Sequence, residues 1–431
     1  MDVGKNNPTL LLIGDAAYLK HLSLPRKDQL LLDLFWLGFL LYTIGYAVAQ
    51  TTYVNWIVCQ AFQSLGLALF WAGLFPQLRF SFDNLYLRVL FVLYFVWLMG
   101  VIARGITLDY DLIKGMLFDA WFGVFLYFTP LLLLFPKNLF FYKRLFDVIL
   151  LLGLVFLGLS AIFAREIIFA DRDNLISRTI VEIFTRTLAM PTTFILLTFI
   201  YHSNKRKILA LIIVLTIILL AILKARRGLL FMASVPLLLA YFIYLYQSKA
   251  RVLVIGFSVV FCCALFVYGW SILQEGTLFT YLKDRGLEDT RSNVEVCFYR
   301  DMTTQDWLIG KGLFGEYYCP GIDPDNRTGF RNVIETDYLQ IILKGGLISF
   351  GLLLLIALPA AFLGIFASKN LFAKAAGFWI VFALINMYPS TVNTFTLNYL
   401  LVWIAVGIGY SKAIRMLPDE VLKLYFNPLP S

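Results

Sequence analysis

Long apolar runs separated by short polar turns restrict the fold of this chain more than any other feature. A window of about 19 residues, the length that crosses a bilayer as a helix, finds about twelve such runs. They lie near 32–50, 55–75, 86–103, 117–135, 145–163, 187–202, 207–223, 228–246, 251–271, 338–366, 375–391 and 397–413. Because 60% of the 431 residues are hydrophobic, a water-soluble fold could not bury the apolar surface. The sequence therefore predicts an all-α, polytopic integral membrane protein with about 12 transmembrane helices.

The net charge of +9 is distributed between the apolar runs, without a basic tail or block. This distribution favours lipid head groups or anionic ligands held at the membrane ends, and we expect no nucleic-acid partner. The first thirty residues contain no signal-peptide pattern, so the first helix is expected to act as an uncleaved signal anchor. The five cysteines show no metal-ligand spacing, and we expect neither a metal nor a cofactor.

Lysine and arginine in the short loops predict the orientation of the chain. If the N-terminus lies inside, every even-numbered connection carries cations and both termini are inside. The predicted organisation is a nine-span bundle over 1–271, a large outer loop over 272–337, a three-span region over 338–413 and an inner tail over 414–431.

Arginine is abundant on the predicted outer side, against the usual bias. The outer arginines are Arg165, Arg172, Arg178, Arg186, Arg226, Arg227, Arg285, Arg291, Arg300, Arg327 and Arg331. One interpretation is that they reach to lipid head groups or pair with carboxylates such as Glu182. The other is that several segments converge on an anion, because a guanidinium presents a planar fork of donors to phosphate oxygens.

The outer side also carries the acid–base candidates. Both histidines, His21 and His202, fall on the inside, which excludes a Ser/His/Asp triad outside. The remaining candidates are carboxylates, above all Glu335 and Asp337 near the start of the tenth run. For Glu335 the alternative is a simple ion pair with Arg331, four residues earlier.

Three features of the large loop leave alternatives open. Cys297 and Cys319 either form a disulfide or include a buried thiol at Cys297. Lys344, inside the tenth run, either contacts an anionic ligand or pairs with a carboxylate in the bundle. The next two residues, Gly345 and Gly346, allow close helix approach or a break at that point.

The order of several motifs resembles the bacterial O-antigen polymerase and O-antigen ligase superfamily of membrane glycosyltransferases. The matches are "RG" at 227–228, then Arg291, Trp307 and "GKG" at 310–312, and finally "ETDYLQIILKGGLIS", which matches at Tyr338, Leu339, Gln340 and Gly346. The chain departs from the ligases at Glu335, which stands in place of their His, at Thr336 in place of Asn, and at Ser349 in place of the last Gly. The missing His favours a polymerase.

This resemblance implies a GT-C-like fold in the bacterial inner membrane, with an active site that faces the periplasm and a periplasmic loop that contains short helices. The implied reaction transfers a glycan from undecaprenyl pyrophosphate to a sugar hydroxyl of another lipid-linked repeat unit, with inversion and without a metal. The implied partners are the lipid-linked oligosaccharide and membrane lipids, with a chain-length regulator protein as an optional further partner.

The resemblance also suggests roles for individual residues. Arg227 and Arg226 would clamp the pyrophosphate together with Arg291 or Arg300, and Arg227 is expected to point inward. Glu335 or Asp337 would take the proton of the attacking hydroxyl. Further substrate contacts are expected from Arg178, Arg331, Tyr338, Lys344 and Trp307, with Tyr317 and Tyr318 beside Trp307 against the sugar rings.

Two other functions compete with the polymerase. A ligase would transfer the glycan to lipid A-core or another acceptor. A transporter or flippase for lipid-linked oligosaccharides would also suit twelve spans and an arginine-rich cavity. Transporters tend to be built from two related halves with charges at the bilayer midplane, whereas this sequence shows no internal repeat and has a single dominant outer loop.

Overall fold

The computed structural model describes residues 25–51, 53–82, 84–169, 174–247, 252, 255–256, 292–322 and 328–427. Within these ranges the chain is mostly helical, and seven helices are long and apolar enough to cross a membrane. Many large apolar side chains on these helices face outward, as expected for contact with lipid tails. The protein is therefore a helical, membrane-embedded protein.

The described helices are α1 (Arg26–Ala49), α2 (Trp56–Leu74), α3 (Leu85–Ala103), α4 (Tyr110–Phe118), α5 (Leu139–Ile162), α6 (Ala164–Ile168), α7 (Leu175–Phe184), α8 (Thr192–Leu197), α9 (Asn204–Leu223), α10 (Arg227–Gln247), α11 (Ser292–Asp301), α12 (Thr304–Ile309), α13 (Asp337–Phe366), α14 (Leu371–Asn386), α15 (Leu397–Tyr410), α16 (Lys412–Arg415) and α17 (Asp419–Phe426). Segments of 3₁₀-helix cover Phe75–Gln77, Val124–Leu134 and Phe199–Tyr201, and a π-helix covers Thr185–Ala189.

Most of the predicted spans are single helices in the structure, but two are divided into several shorter segments and a third, 338–366, is broken at Gly346. The run 117–135 contains the end of α4 and the 3₁₀ segment Val124–Leu134, which has Pro130 inside it. The run 187–202 is divided between the π-helix, α8 and a 3₁₀ turn. The runs 375–391 and 397–413 correspond to the shorter helices α14 and α15, and 251–271 falls almost wholly outside the described residues.

The large loop is a small unit with its own apolar core. Its helices α11 and α12 precede an antiparallel pair of two-residue strands, β1 (Tyr317–Tyr318) and β2 (Phe330–Arg331). Phe298 and Tyr317 are fully buried in its core. A disulfide joins Cys297 to Cys319, which selects one of the two alternatives open for this pair.

Glycines attach this loop to the membrane helices. The backbone N–H groups of Lys311 and Gly312 donate to the carbonyls of Leu343 and Lys344, at 2.7 and 2.9 Å. A Cβ at Gly310 would lie 2.5 Å from the Lys344 carbonyl carbon, so only glycine fits. Gly346 has a φ of 70° and breaks α13, and a Cβ there would lie 2.1 Å from the Leu308 carbonyl oxygen, so both open alternatives, a break and a close approach, occur at this residue.

Candidate functional site

The centre of the candidate site is a cluster of two arginines around one carboxylate. We call Glu182, Arg186 and Arg226 the arginine cluster. Glu182 Oε1 lies 2.8 Å from Arg186 Nη2, and its Oε2 lies 2.9 Å from Arg226 Nη2. Their side chains are 19%, 13% and 24% exposed, respectively. Since one carboxylate serves two guanidinium groups, the cluster retains one positive charge in a largely buried place.

Three secondary-structure features bring the cluster together. Glu182 lies in the last turn of α7, and the π-helix that follows carries Arg186 four residues later. Arg226 comes from the turn between α9 and α10, where Ala225 has a φ of 51°. π-Helical turns occur frequently at functional sites, because they change the direction of a side chain without ending the helix.

Both arginines of the cluster keep donors that nothing in the described protein accepts. The Nε atoms of Arg186 and Arg226 are buried without a hydrogen-bond partner. The Arg186 guanidinium also lies over the Trp121 ring, 5.0 Å from its centre, and the Trp121 Nε1 is buried without a partner. Buried donors without acceptors are unfavourable, so the arrangement suits an anionic ligand with several acceptor oxygens.

Asp337, the first residue of α13, is fully buried beside this cluster. Its Oδ2 accepts hydrogen bonds from the backbone N–H groups of Val392 and Asn393, at 2.9 and 2.7 Å. Its Oδ1 is buried without a partner. Arg186 is close enough to act on this carboxylate electrostatically.

The turn that carries Arg226 packs on the loop that holds Asp337. A Cβ at Gly228 would lie 3.2 Å from the Pro389 carbonyl oxygen and 3.8 Å from the Ser390 side chain. The Ser390 hydroxyl is itself buried without a partner. Asp337 and the arginine cluster therefore belong to one site, which is bordered by the loop before α15.

A second carboxylate, Asp119, lies next to the same site. Its Oδ1 accepts from the Trp121 backbone N–H at 2.8 Å and from the Tyr46 hydroxyl at 3.4 Å. The Trp121 ring then supports Arg186. Asp119, in the turn that follows α4, thus fixes the position of Trp121 at the edge of the site.

The predicted arginines do not all enter this site. Arg226 is half-buried in the cluster, while Arg227 is exposed, so Arg226 is the one of the two that enters the cluster. The reason is local, because the positive φ of Ala225 turns the chain and Gly228 is needed for contact with Pro389. Lys224, two residues before Arg226, is buried.

The predicted site residues of the large loop lie outside the arginine cluster. Arg300 and Glu335 are exposed, and Arg331 is half-buried on β2 against Tyr317. No ion pair joins Arg300 or Arg331 to Glu182 within the part of the chain that the structure describes. Arg178 is half-buried on α7, one turn before Glu182. Arg291 lies outside the described residues.

The aromatic residues of the loop are divided between its core, which contains Tyr317, and its surface, where Tyr318 is exposed. Tyr317 is fully buried and its hydroxyl donates to the Val333 carbonyl at 3.0 Å, so the expected stacking on a sugar is wrong for this ring. Burial raises the pKa of Tyr317 to about 12, so it stays a neutral donor. Trp307 stacks on Tyr299, with ring centres 5.9 Å apart. The side chains of Tyr299 and Tyr338 are in turn hydrogen-bonded to each other.

In this chain, residues of the matched "YLQ" motif and of the helix that the "GKG" motif contacts form hydrogen bonds that hold the large loop in place. Gln340 accepts from the Ile334 N–H at 2.9 Å and donates to the Asn332 carbonyl at 3.1 Å, which fixes the turn before Asp337. Lys344 is buried and donates to the Gly315 carbonyl at 2.8 Å. Among the described residues, no carboxylate lies within ion-pair distance of Lys344.

Sequence reasoning missed part of the site. Arg186 and Glu182 were visible only as an outer arginine and a nearby carboxylate, and their spacing of four residues was the available signal. Asp119 was hidden inside an apolar run, and nothing in the sequence pointed to Ser390.

No protein-family model, no curated protein and no solved structure matches this chain.

Proposed function

We propose that this protein is a membrane glycosyltransferase that polymerises a surface glycan such as O-antigen. It transfers the growing glycan from undecaprenyl pyrophosphate to the sugar hydroxyl of another lipid-linked repeat unit, without a metal and with inversion. The proposal includes a GT-C-like fold with about 12 spans, a location in the bacterial inner membrane and a site on the periplasmic side. The observation that carries it is the arginine cluster with its excess positive charge, next to a buried carboxylate with an unpartnered oxygen.

The arginine cluster suits the leaving group of this reaction. As the bond between the anomeric carbon and the phosphate oxygen breaks, its electron pair stays on the phosphate, and negative charge grows there. Guanidinium groups fixed in a partly desolvated place stabilise that charge without reorganising. The two unpartnered Nε donors of Arg186 and Arg226 are available for phosphate oxygens.

Asp337 suits the role of general base. Its Oδ2 is held by two backbone N–H groups, so the direction of Oδ1 is fixed. The acceptor hydroxyl donates its proton to Oδ1 as its oxygen forms the new bond to the anomeric carbon, on the face opposite the leaving phosphate. Glu335 is exposed, which makes it the weaker of the two predicted bases.

The disulfide supports the proposed location of the loop. Disulfides persist in the bacterial periplasm and are rare in the cytosol. The Cys297–Cys319 bond therefore favours a periplasmic loop, and the loop packs on the outer end of α3, where Arg104 donates to the carbonyls of Ile309 and Gly310.

The direct test is chain growth by the purified protein in detergent with lipid-linked repeat units. We expect a ladder of longer lipid-linked products. The ladder should be lost in the Arg186→Met, Arg226→Met double variant and retained in Arg300→Met, which changes an exposed arginine of the loop. Movement of the lipid across vesicles without chain growth would instead indicate a transporter. Growth only on a lipid A-core acceptor would indicate a ligase.

A further inference from the structure

A cavity next to Asp337, separate from the arginine cluster, has no role in the reaction described above. It lies between α3, the 3₁₀ segment Val124–Leu134 and the first turns of α13, and its water-accessible volume is about 30 Å³. Its wall combines apolar side chains with the polar side chains of Gln340, Lys344, Ser349 and Asn393. This combination of surfaces is that of a site for an amphiphile.

Among the described residues that line this cavity, Lys344 is the only cation. Its ammonium group is buried, and the Gly315 carbonyl is the partner that holds it. The carbonyl dipole, together with the Glu316 carboxylate that acts on the ammonium from beyond ion-pair distance, offsets only part of the unfavourable free energy of a buried charge, so the ammonium retains a preference for an anion. Two further N–H donors of the ammonium are available for one.

The ammonium is also fixed in place before any ligand binds. The Gly312 N–H bonds the Lys344 carbonyl, and the Trp97 Nε1 donates to the Gly345 carbonyl at 2.8 Å. The helix break at Gly346 ends the short segment that carries both Asp337 and Lys344. A donor held in this way loses little conformational freedom on binding.

We infer that this cavity is a second anion site, in which Lys344 Nζ binds the phosphate of an amphiphile. It is distinct from the arginine cluster, because seven residues of helix, about 10 Å of rise, separate Lys344 from Asp337. The two sites meet at the loop before α15, since Asn393 lines the cavity and its N–H holds Asp337.

The phosphate could come from a lipid-linked sugar or from an ordinary phospholipid. The first source rests on the proposed function and has a consequence for it. A polymerase uses two substrates that both carry a lipid pyrophosphate, so two anion sites beside one base fit a polymerase better than a ligase.

The experiment counts bound ligands by native mass spectrometry of the full chain in detergent, with farnesyl pyrophosphate as the probe. We expect two bound molecules for the natural protein and one for Lys344→Met, with the second binding step weakened about tenfold or more. Lys311→Met is the matched control, because Lys311 lies in the same loop contact but already pairs with Asp301. Two molecules bound to Lys344→Met, or one bound to the natural protein, would overturn the inference.

A second variant separates loss of the site from loss of the fold. Leu98→Phe enlarges a side chain that lines the cavity and leaves Lys344 unchanged. We expect it to bind one probe molecule, like Lys344→Met. Two molecules bound to Leu98→Phe would show that the cavity does not hold the second ligand, and the inference would fail.

Competition with a short-chain phosphatidylglycerol identifies the source. Displacement of one probe molecule from the natural protein, and of none from Lys344→Met, would assign the cavity to a phospholipid head group. No displacement would assign it to the lipid-linked sugar. Absence of chain growth with two probe molecules still bound would refute the transferase and leave the anion site intact.

Discussion

The arginines at the two ends of the helix bundle differ in how many carboxylates pair with them. At the predicted inner end, each of three arginines has its own carboxylate, in the pairs Arg79–Asp28, Arg144–Asp33 and Arg206–Asp147. At the predicted outer end, Arg186 and Arg226 share Glu182. The charges are balanced in the inner pairs, whereas the outer cluster keeps a positive charge.

This difference separates structural from functional charge. The inner pairs are at least partly exposed, and pairs of that kind contribute about 0–1 kcal/mol to stability. The outer cluster is more buried, and its two arginines share one carboxylate, so it keeps a positive charge that the inner pairs do not have. Substitution of the outer arginines should therefore lower activity. Substitution of the inner arginines should change stability slightly and leave activity unchanged.

Asp337→Asn should have the largest effect on activity. The asparagine oxygen can still accept from the Val392 and Asn393 N–H groups, so the fold should be kept, but the base is lost. We expect the rate of chain growth to fall about 10²- to 10⁴-fold. Initial rates at saturating substrate measure this effect.

Glu335→Gln is the matched control, because Glu335 is exposed two residues earlier. We expect its rate to stay close to that of the natural protein. A large loss in Glu335→Gln with a normal rate in Asp337→Asn would move the base to Glu335 and remove Asp337 from the mechanism.

Arg226→Lys should have the next largest effect. Lysine keeps the charge and can still reach Glu182, but it lacks the Nε donor and the planar fork. We expect kcat/KM to fall about 10- to 100-fold, because a charge-assisted hydrogen bond to phosphate contributes about 1.5–3 kcal/mol. The exposed neighbour Arg227, substituted in the same way, is the control. If only Arg227→Lys were impaired, the "RG" interpretation of the sequence would hold instead.

The sequence predicts the long spans well, because hydropathy over about 19 residues depends on the chain itself. It does not predict the broken segments around Pro130 and Pro191. There, 3₁₀- and π-helical turns are selected by packing against other helices, and a hydropathy window averages across them.

The site was predictable only where a residue type and its position at a helix end were sufficient. Asp337 and Arg226 were found for that reason. The choice of Arg226 over Arg227 depends on the backbone conformation of Ala225, which the sequence does not reveal. The sharing of Glu182 depends on contact between α7 and a turn about forty residues away, and single-sequence patterns carry no such information.

The redox state of Cys297 and Cys319 tests which end of the molecule faces outward. Alkylation of the membrane-bound protein with a maleimide polymer should modify Cys297 and Cys319 only after reduction. Cys297→Ser with Cys319→Ser should lower the stability of the loop by about 2–4 kcal/mol, measured by limited proteolysis, since the bond closes a loop in the unfolded chain. Free thiols in protein from intact cells would place this loop in a reducing compartment. The predicted inner and outer ends of the bundle would then be reversed.

The smallest effect should come from the inner pair Arg79–Asp28, whose side chains are 64% and 20% exposed. A double-mutant cycle with Arg79→Ala and Asp28→Ala should give a coupling of about 0.2–1 kcal/mol in thermal unfolding, because solvent screens most of the attraction. Chain growth should be unchanged. The same cycle on Arg226 and Glu182 should instead alter activity, since Glu182 orients the spare guanidinium donors. If the inner cycle also reduced chain growth, charge balance would not distinguish the two ends, and the arginine cluster would lose its main support as a ligand site.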